Sequence, residues 1–305
     1  MELNNYITRL DALVKVITPG LFAFTLFLIL LEVLVLRFRK VKVSHKGGAV
    51  SLISGLFGFG LEALADFLFY LAITYWLYDH RFFTLGFHWY VWLFCFVLFD
   101  FIFYWSHRIA HEVRILWCLH SVHHSTREMR LATAVRGPMF EFLVTPWYFV
   151  WMCVLGIHPL MFIAVRTISR VWGVLEHVSE SFVGYHPWLN KIFITPDVHR
   201  VHHGKNVQYL DMNYSEILSI WDRMFGTYTE YEEKPEYGLL KQIDADNFIE
   251  VQFHPWRDLY HDLKETAGIK NKLKLLIMPP GWYPDGRDMR AKTLKKQYFE
   301  LRQTA

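Results

Sequence analysis

The sequence predicts an all-α protein, a polytopic membrane helical bundle of about four to five apolar spans with histidine-rich segments gathered at one face. Three observations carry that expectation. The 305 residues are 53% hydrophobic and 18% aromatic with a mean hydropathy of +0.17, too apolar for a soluble domain with this many polar loops. Apolar runs of span length alternate with short polar links and end in charged residues. Three histidine clusters each follow an apolar stretch or a short turn.

The first run, Pro19 to Leu36, is broken only by Gly20, Thr25 and Glu32 and is long enough for a bilayer core of about 30 Å. It stops at Arg37-Phe38-Arg39-Lys40-Val41-Lys42, a basic stretch expected on the cytoplasmic side, so this span runs from outside to inside. Gly47-Gly48 and Gly55, Gly58 and Gly60 lack the context of a phosphate loop and read as sites of close helix packing. Leu61–Tyr78 and His88–Trp105 form a second and a third run, antiparallel across the short link Asp79 to Phe87. Phe140–Leu155 and Leu160–Val174, separated by Gly156-Ile157-His158-Pro159, are a full or re-entrant hairpin. This topology brings all the histidine clusters to the cytoplasmic face.

The clusters are His107 with His111, His120 with His123 and His124, and His199 with His202 and His203. Residues three or four apart share a helix face, so each cluster can present several imidazoles to one ion. The neighbours His123-His124 and His202-His203 diverge by about 100° around a helix, which suits two metals better than one. Neutral imidazole is a common metal ligand. The other histidines, His45, His80, His88, His158, His186, His254 and His261, read as ordinary hydrogen-bonded residues. Asp100, Glu112, Glu176 and Asp197 are candidates to accept the second ring N–H of a bound imidazole. Asp222-Arg223 reads as a bracing ion pair.

Arg166 and Arg170 lie inside an apolar run and need partners; Glu141 and Glu176 are the expected ones, with an anionic lipid headgroup as the alternative. Trp147, Tyr148, Trp151 and Trp172 read as interfacial belt and packing. Tyr214 to Phe225 has helical spacing, closed by Gly226, and Lys264 to Met278 reads as a basic amphipathic helix on the membrane surface. Cys95, Cys118 and Cys153 show no paired spacing and are expected reduced and structural. Met1-Glu2-Leu3-Asn4 has no basic leader region, so the first apolar segment is expected to be retained. A net charge of +3, with basic residues beside apolar runs, gives no nucleic-acid partner.

From about Phe101 to Leu240 the chain resembles the fatty acid hydroxylase and sterol desaturase superfamily of membrane diiron enzymes, with motifs most like those of its alkylglycerol monooxygenase branch. The resemblance rests on Tyr104-Trp105-Ser106-His107-Arg108 with His111-Glu112; on Leu116-Trp117 leading to His120, His123, His124 and Ser125; and on Thr133-Ala134-Val135-Arg136. It continues through His199-Arg200-Val201-His202-His203-Gly204-Lys205-Asn206, Asp211 to Tyr214, and Ile220-Trp221-Asp222-Arg223 with Phe225-Gly226-Thr227. It implies a further ligand histidine, matched by His177, and a cytoplasmic histidine-rich diiron cap. The chain departs from the family pattern at Ser125-Thr126-Arg127-Glu128, where Ser-Ser-Glu is usual, at Arg130, where Asn is expected, and in ending soon after the third cluster. These departures bear on ether-lipid specificity and on tetrahydropterin dependence.

The expectation is therefore a single membrane-embedded unit over residues 1–305: N-terminal spans (1–106), the first two histidine clusters (107–136), an apolar hairpin (137–176), the third cluster with its amphipathic helix (177–230) and a cytoplasmic tail (231–305). Its metal ligands are His107, His111, His120, His123, His124, His177, His199, His202 and His203, holding two iron ions, for which zinc can substitute in a purified sample. The expected chemistry is O2-dependent hydroxylation of an unactivated C–H of an ether lipid, sterol or fatty acyl chain. An external reductant is required, either an electron-donor protein or a reduced pterin such as tetrahydropterin. The alternatives are a lipid or sterol desaturase with the same metals and a membrane metal transporter. The membrane is a bacterial inner membrane or endoplasmic reticulum, according to source.

Overall fold

The protein is described by a computed structural model covering residues 2–304, without the side chains at 2–6, 14–15, 18–19, 22 and 304. Met1 and the side chains of Glu2, Leu3 and Asn4, on which the expectation of a retained N-terminus rests, lie outside the described residues. Among the described residues the chain is helical, with only isolated bridges such as Phe193 with Leu218 and Gly204 with Tyr237.

Helix α1 (Glu2–Phe38) contains the first apolar run, and Phe24, Phe27, Leu30 and Leu34 on it are exposed. Its one acid within that run, Glu32, is buried and accepts the backbone N–H groups of Leu131 and Ser179, each at 2.8 Å. A carboxylate in an apolar helix is costly unless hydrogen-bonded, and these two bonds tie α1 to the segments that flank the histidines.

The second run is longer than its hydropathy indicated. Helix α2 (His45–Ala65) begins at the Ser44 N-cap, whose hydroxyl accepts the Gly47 N–H at 2.9 Å, and continues through a π-helical turn at Asp66–Tyr70 into α3 (Leu71–Asp79). The glycine-rich stretch is therefore helical, and part of it serves close packing: a Cβ on Gly55 would meet the Val135 carbonyl oxygen at 2.8 Å, and one on Gly48 the Arg130 guanidinium at 2.7 Å. Gly60 has open space instead.

Helix α4 (Trp89–Glu112) buries Val91, Cys95, Phe99 and Ile102, one helical face, against Phe149, Met152 and Cys153 and against Met161, Phe162 and Val165. It leads at Val113 into α5 (Arg114–His124), followed by the short α6 (Leu131–Ala134). The first arm of the expected hairpin is a broken helix, Glu141–Leu155, in which the short α7 (Thr145–Phe149) lies between two 3-10 turns. It ends at Gly156, whose φ of +94° and approach to the Phe83 carbonyl leave no room for a side chain. The second arm is α8 (Pro159–Glu176), capped by His158. Two helical runs, His45–Asp79 and Trp89–Glu112, are long and apolar enough to cross a membrane among the described residues.

Two ion-pair expectations are corrected. Arg166 and Arg170 both pair with Glu62 of α2, and Arg166 also lies 3.3 Å from Asp66; neither hydrogen-bonds Glu141 or Glu176. Glu62 near the end of α2 and Asp66 in the π-helical turn lie closer to the two arginines than the acids that the sequence suggested. Asp222 and Arg223 do not pair either: Arg223 bonds to the Asn190 carbonyl and stacks on Tyr228, while Asp222 accepts backbone N–H groups.

Helix α9 (Pro196–His202) starts with proline in its first turn and Asp197 beside it, both favourable at a helix N-terminus. Of the amphipathic helix expected over Tyr214–Phe225, only α10 (Ile220–Met224) is helical, closed as expected by Gly226 with φ +69°. Tyr214 to Leu218 stays open because two buried carboxylates take its N–H groups: Asp222 those of Tyr214 and Ser215, Asp100 those of Ile217 and Leu218.

The tail is docked rather than free. Helix α11 (Phe248–Glu265) packs on α5, with Cys118 donating to the Pro255 carbonyl and Arg114 paired to Asp262. The expected basic helix is shorter, α12 (Ile269–Ile277), because Gly268 separates it from Lys264; it turns Leu275 inward and leaves Ile269, Leu273 and Ile277 exposed. Helix α13 (Ala291–Thr304) sets the Lys295 ammonium 3.1 Å from the Met212 sulfur. All three cysteines are free and buried.

Candidate metal centre

Four segments deliver the histidines. His107 and His111 lie one turn apart in the last turns of α4, and His120 and His124 repeat that spacing on α5, with His123 turned aside. His177 ends α8, and His199, His202 and His203 sit on and just after α9. The structure brings all nine expected ligands together in two groups, each with one ring nitrogen per residue within 4.8 Å of the others: His107, His111, His120, His124 and His202; and His123, His177, His199 and His203. The adjacent residues His123 and His124 part company, as do His202 and His203, as their divergence around a helix requires. The groups abut, with the His124 and His203 rings stacked at 4.4 Å between centroids.

Hydrogen bonds to the far ring nitrogens set the tautomers. The Nδ1–H of His107 donates to the Tyr214 carbonyl at 2.7 Å, that of His177 to the Gly173 carbonyl at 2.6 Å, and that of His202 to the Met212 carbonyl at 2.9 Å. This leaves each Nε2 a lone pair aimed inward. The Nε2 of His177 then faces two others at 3.1 Å, those of His123 and His199, and the Nε2 of His199 also faces His203 at 3.1 Å. In the other group the His120 Nε2 lies 3.0 Å from that of His107 and 3.2 Å from that of His124. One lone pair cannot satisfy two neighbours, but nitrogens about 2.1 Å from a shared cation and at right angles to each other stand about 3.0 Å apart. The Nε2 atoms of His111 and His202 are buried with no hydrogen-bond partner. The donor set fits metal ions.

Burial and mutual repulsion hold the imidazoles of His120, His123, His124, His199, His202 and His203 well below the usual 6.5, and burial lowers His177 to about 4. The rings are neutral, the form that binds metal.

Of the four acids expected beside the imidazoles, Glu176 faces His199 Nδ1 at 3.5 Å. The others are engaged elsewhere: Asp100 with the 217–221 segment, Glu112 with Arg108 at 2.9 Å, and Asp197 with Asn190 and Thr195. Asp211, which spacing did not single out, has an oxygen 3.4 Å from His111 Nδ1, and burial raises its carboxyl to about 6. Its φ of +53° turns the chain toward the site, a conformation that Asp and Asn tolerate better than most residues. Three of the seven histidines outside the groups have the local hydrogen bonds expected of them: His158 caps α8, His80 meets the Trp76 carbonyl, and His254 the Glu250 carbonyl.

A cavity of about 90 Å³ adjoins the first group, lined by His107 and His120 and mostly by apolar side chains, among them Phe103, Leu116, Leu119 and Phe149. Tyr148, expected in an interfacial belt, lines it too; Trp147 and Trp151 are exposed.

A family model described as fatty acid hydroxylase matches residues 92–227, a stretch that holds all nine histidines. This segment is a fatty acid hydroxylase domain. The chain is 37% identical over 193 residues to human alkylglycerol monooxygenase, covering 63% of this chain and 43% of that protein. The Caenorhabditis elegans alkylglycerol monooxygenase is 32% identical over 249 residues, 76% of this chain and 47% of the relative. A Delta(7)-sterol 5(6)-desaturase of Saccharomyces cerevisiae is 27% identical over 171 residues, 55% and 42% of the two chains. This chain thus spans less than half the length of these relatives. No solved structure matches it.

Proposed function

We propose that this protein is a membrane oxygenase that hydroxylates an unactivated C–H bond of a lipid, using two iron ions held by the nine histidines. The observation that supports this most is the pair of abutting imidazole groups beside an apolar cavity. His107, His111, His120, His124 and His202 would hold one ion, and His123, His177, His199 and His203 the other. Five imidazoles in one group exceed the tetrahedral set of a closed zinc site, and imidazole suits iron.

The chemistry that bound iron supplies is reductive activation of O2 and delivery of one oxygen atom to carbon, with two electrons from an external donor and the second oxygen leaving as water. The carbonyls of Tyr214, Gly173 and Met212 hold the imidazole tautomers, and Glu176 and Asp211 face the outer nitrogens of His199 and His111. Phe103, Leu116, Leu119 and Phe149 exclude water and hold an alkyl chain against His107 and His120. The electron donor is a protein or a reduced pterin.

The apolar run of α1, the His45–Asp79 run and α4 act as spans, with Glu141–Leu155 and α8 entering the membrane and returning. With Arg37 to Lys42 in the cytoplasm, the histidines lie on the cytoplasmic face. The similarity to a sterol desaturase supports desaturation as a second reading, since both reactions begin with hydrogen abstraction. Incubating membranes with ¹⁸O₂ and a reductant separates the two: a labelled alcohol or aldehyde is expected, and an unlabelled alkene as main product would overturn hydroxylation. Gathering of the histidines into one buried cluster, rather than along a path, weighs against metal transport.

A further inference from the structure

We propose that the turn at residues 188–192 and the outer face of α10 are embedded in the cytoplasmic leaflet of the bilayer. The segment that carries the third histidine cluster is then seated in lipid on one side and does not stand clear of the membrane. The inference rests on the reading of α4 as a span and adds a second, non-spanning contact with the bilayer.

Five large apolar side chains face outward here. Trp188, Leu189 and Ile192 are 75%, 53% and 58% exposed, and Ile220 and Met224, one turn apart on α10, are 48% and 62% exposed. They belong to one surface. The Ser219 N–H donates to the Ile192 carbonyl at 2.9 Å and the Ile194 N–H to the Ile217 carbonyl at 2.8 Å, which sets Ile192 beside Ile220. The Arg223 guanidinium joins the same two segments by donating to the Asn190 carbonyl at 3.0 Å. Single exposed apolar residues are ordinary, but a contiguous set of this size marks an interaction surface.

The place of the patch in the fold says what covers it. On α4, Tyr90, Phe94 and Phe101 share a face at spacings of four and seven residues, and the first two are exposed. At Phe101 that face is covered by α10, with the Trp221 ring at 5.0 Å and the Phe225 ring at 6.4 Å between centroids. A rise of 1.5 Å per residue puts Phe101 about 18 Å from Trp89, inside a hydrocarbon core of about 30 Å. Helix α8 leads to the same place. Ile168 and Leu175 are exposed on either side of Trp172, whose ring lies 5.5 Å from that of Phe193 and whose N–H donates to the Ile194 carbonyl at 3.0 Å. The patch therefore extends two apolar surfaces that already face lipid. Lys191, exposed in the same turn, has a side chain long enough to carry its charge out to the headgroup phosphates.

Insertion here bears on the metal centre. Asn190 is turned inward from the same turn, donating to the Asp197 carboxylate at 2.7 Å and accepting the Thr195 hydroxyl at 2.6 Å. Both partners stand at the start of α9, so a turn held in the leaflet fixes the height of the helix that carries His199 and His202.

The test uses the wild-type full chain in nanodiscs of phosphatidylcholine and phosphatidylglycerol, with a phospholipid that carries a diazirine halfway along one acyl chain. After irradiation, mass spectrometry is expected to find label at residues 188–192 and 220–224 as well as at 90–94. Label at 90–94 alone would overturn the inference and leave α4 a span, whereas label at none of the three would overturn both. Depth is read independently with a nitroxide at Ile192→Cys or Met224→Cys, the three natural cysteines being buried. Each should collide more often with oxygen, which dissolves in the bilayer, than with a water-soluble nickel chelate, and the preference should reverse at Lys296→Cys. Preference for nickel at both 192 and 224 would overturn the proposal. So would shielding from both probes with spin coupling between copies, which would assign the patch to a second copy of this chain. If either cysteine variant fails to fold, the wild-type labelling pattern decides.

Discussion

Asp100 accepts the indole N–H of Trp221 at 2.8 Å, joining the helix that carries His107 and His111 to the segment whose Tyr214 carbonyl orients His107. The same carboxylate accepts the Ile217 N–H at 3.0 Å and the Leu218 N–H at 3.1 Å, so one side chain holds an otherwise irregular strip of backbone against α4.

Removing that acceptor strands buried donors. Asp100→Ala is expected to cost about 3 kcal/mol, given about 1–3 kcal/mol for each buried group left unsatisfied. Asp100→Asn, which keeps one acceptor, should cost about half. Denaturant or thermal unfolding in detergent measures both, and an unchanged midpoint for Asp100→Ala would show that the strip is held by other contacts.

The two histidine groups should empty separately. His202→Ala belongs to the first group and His123→Ala to the second, so each single variant is expected to retain about half the wild-type metal and the double variant almost none. Elemental analysis of purified protein reads this directly. Both single variants should lose hydroxylation, since the chemistry proposed requires both ions.

Packing at Gly55 is the third test. Its missing Cβ leaves room for Val135, whose carbonyl oxygen would lie 2.8 Å from an added methyl group. Gly55→Val is expected to destabilise by about 1–3 kcal/mol, the usual range for overpacking, while Gly60→Val, with open space, should be nearly neutral. Equal unfolding midpoints for the two variants would count against close contact between α2 and the Val135 segment.

Membrane orientation can be read with single cysteines. Placed at Lys40 and at Lys296, whose side chains are solvent-exposed, they are expected to resist an impermeant maleimide in sealed cells and to react once the membrane is permeabilised. Reaction of either in sealed cells would reverse the topology proposed from Arg37 to Lys42.

Much of the site was legible because it depends on local geometry. Helical spacing sets His107 over His111, allows His120 to share a face with His123 or His124, and turns His123 from His124 and His202 from His203, so two groups were expected, while the packing of α4, α5 and α9 decided which imidazoles share each group. The fourth segment was reached through family resemblance, since a lone His177 at the end of α8 carries no spacing signal. Glu141, Thr145 and Tyr148, which line the cavity beside His107, left a trace that was available, a polar stripe at helical spacing inside an apolar run, and it reads as a cavity wall only when α4 stands opposite.

By itself the sequence determined the helical class, the apolar runs and the eight clustered imidazoles, because each is written in hydropathy or in spacing within one helix. Tertiary structure alone decided which acids serve which partners. Glu62 and Asp66 hold Arg166, Asp211 faces His111, and Asp100 takes the N–H groups of Ile217 and Leu218 and so keeps them out of the helix that their spacing favoured. The reason is one of range. Side-chain spacing acts over three or four residues, whereas a buried carboxylate takes its hydrogen bonds from whatever donors the fold brings within about 3 Å, here from segments 100 or more residues away in the chain.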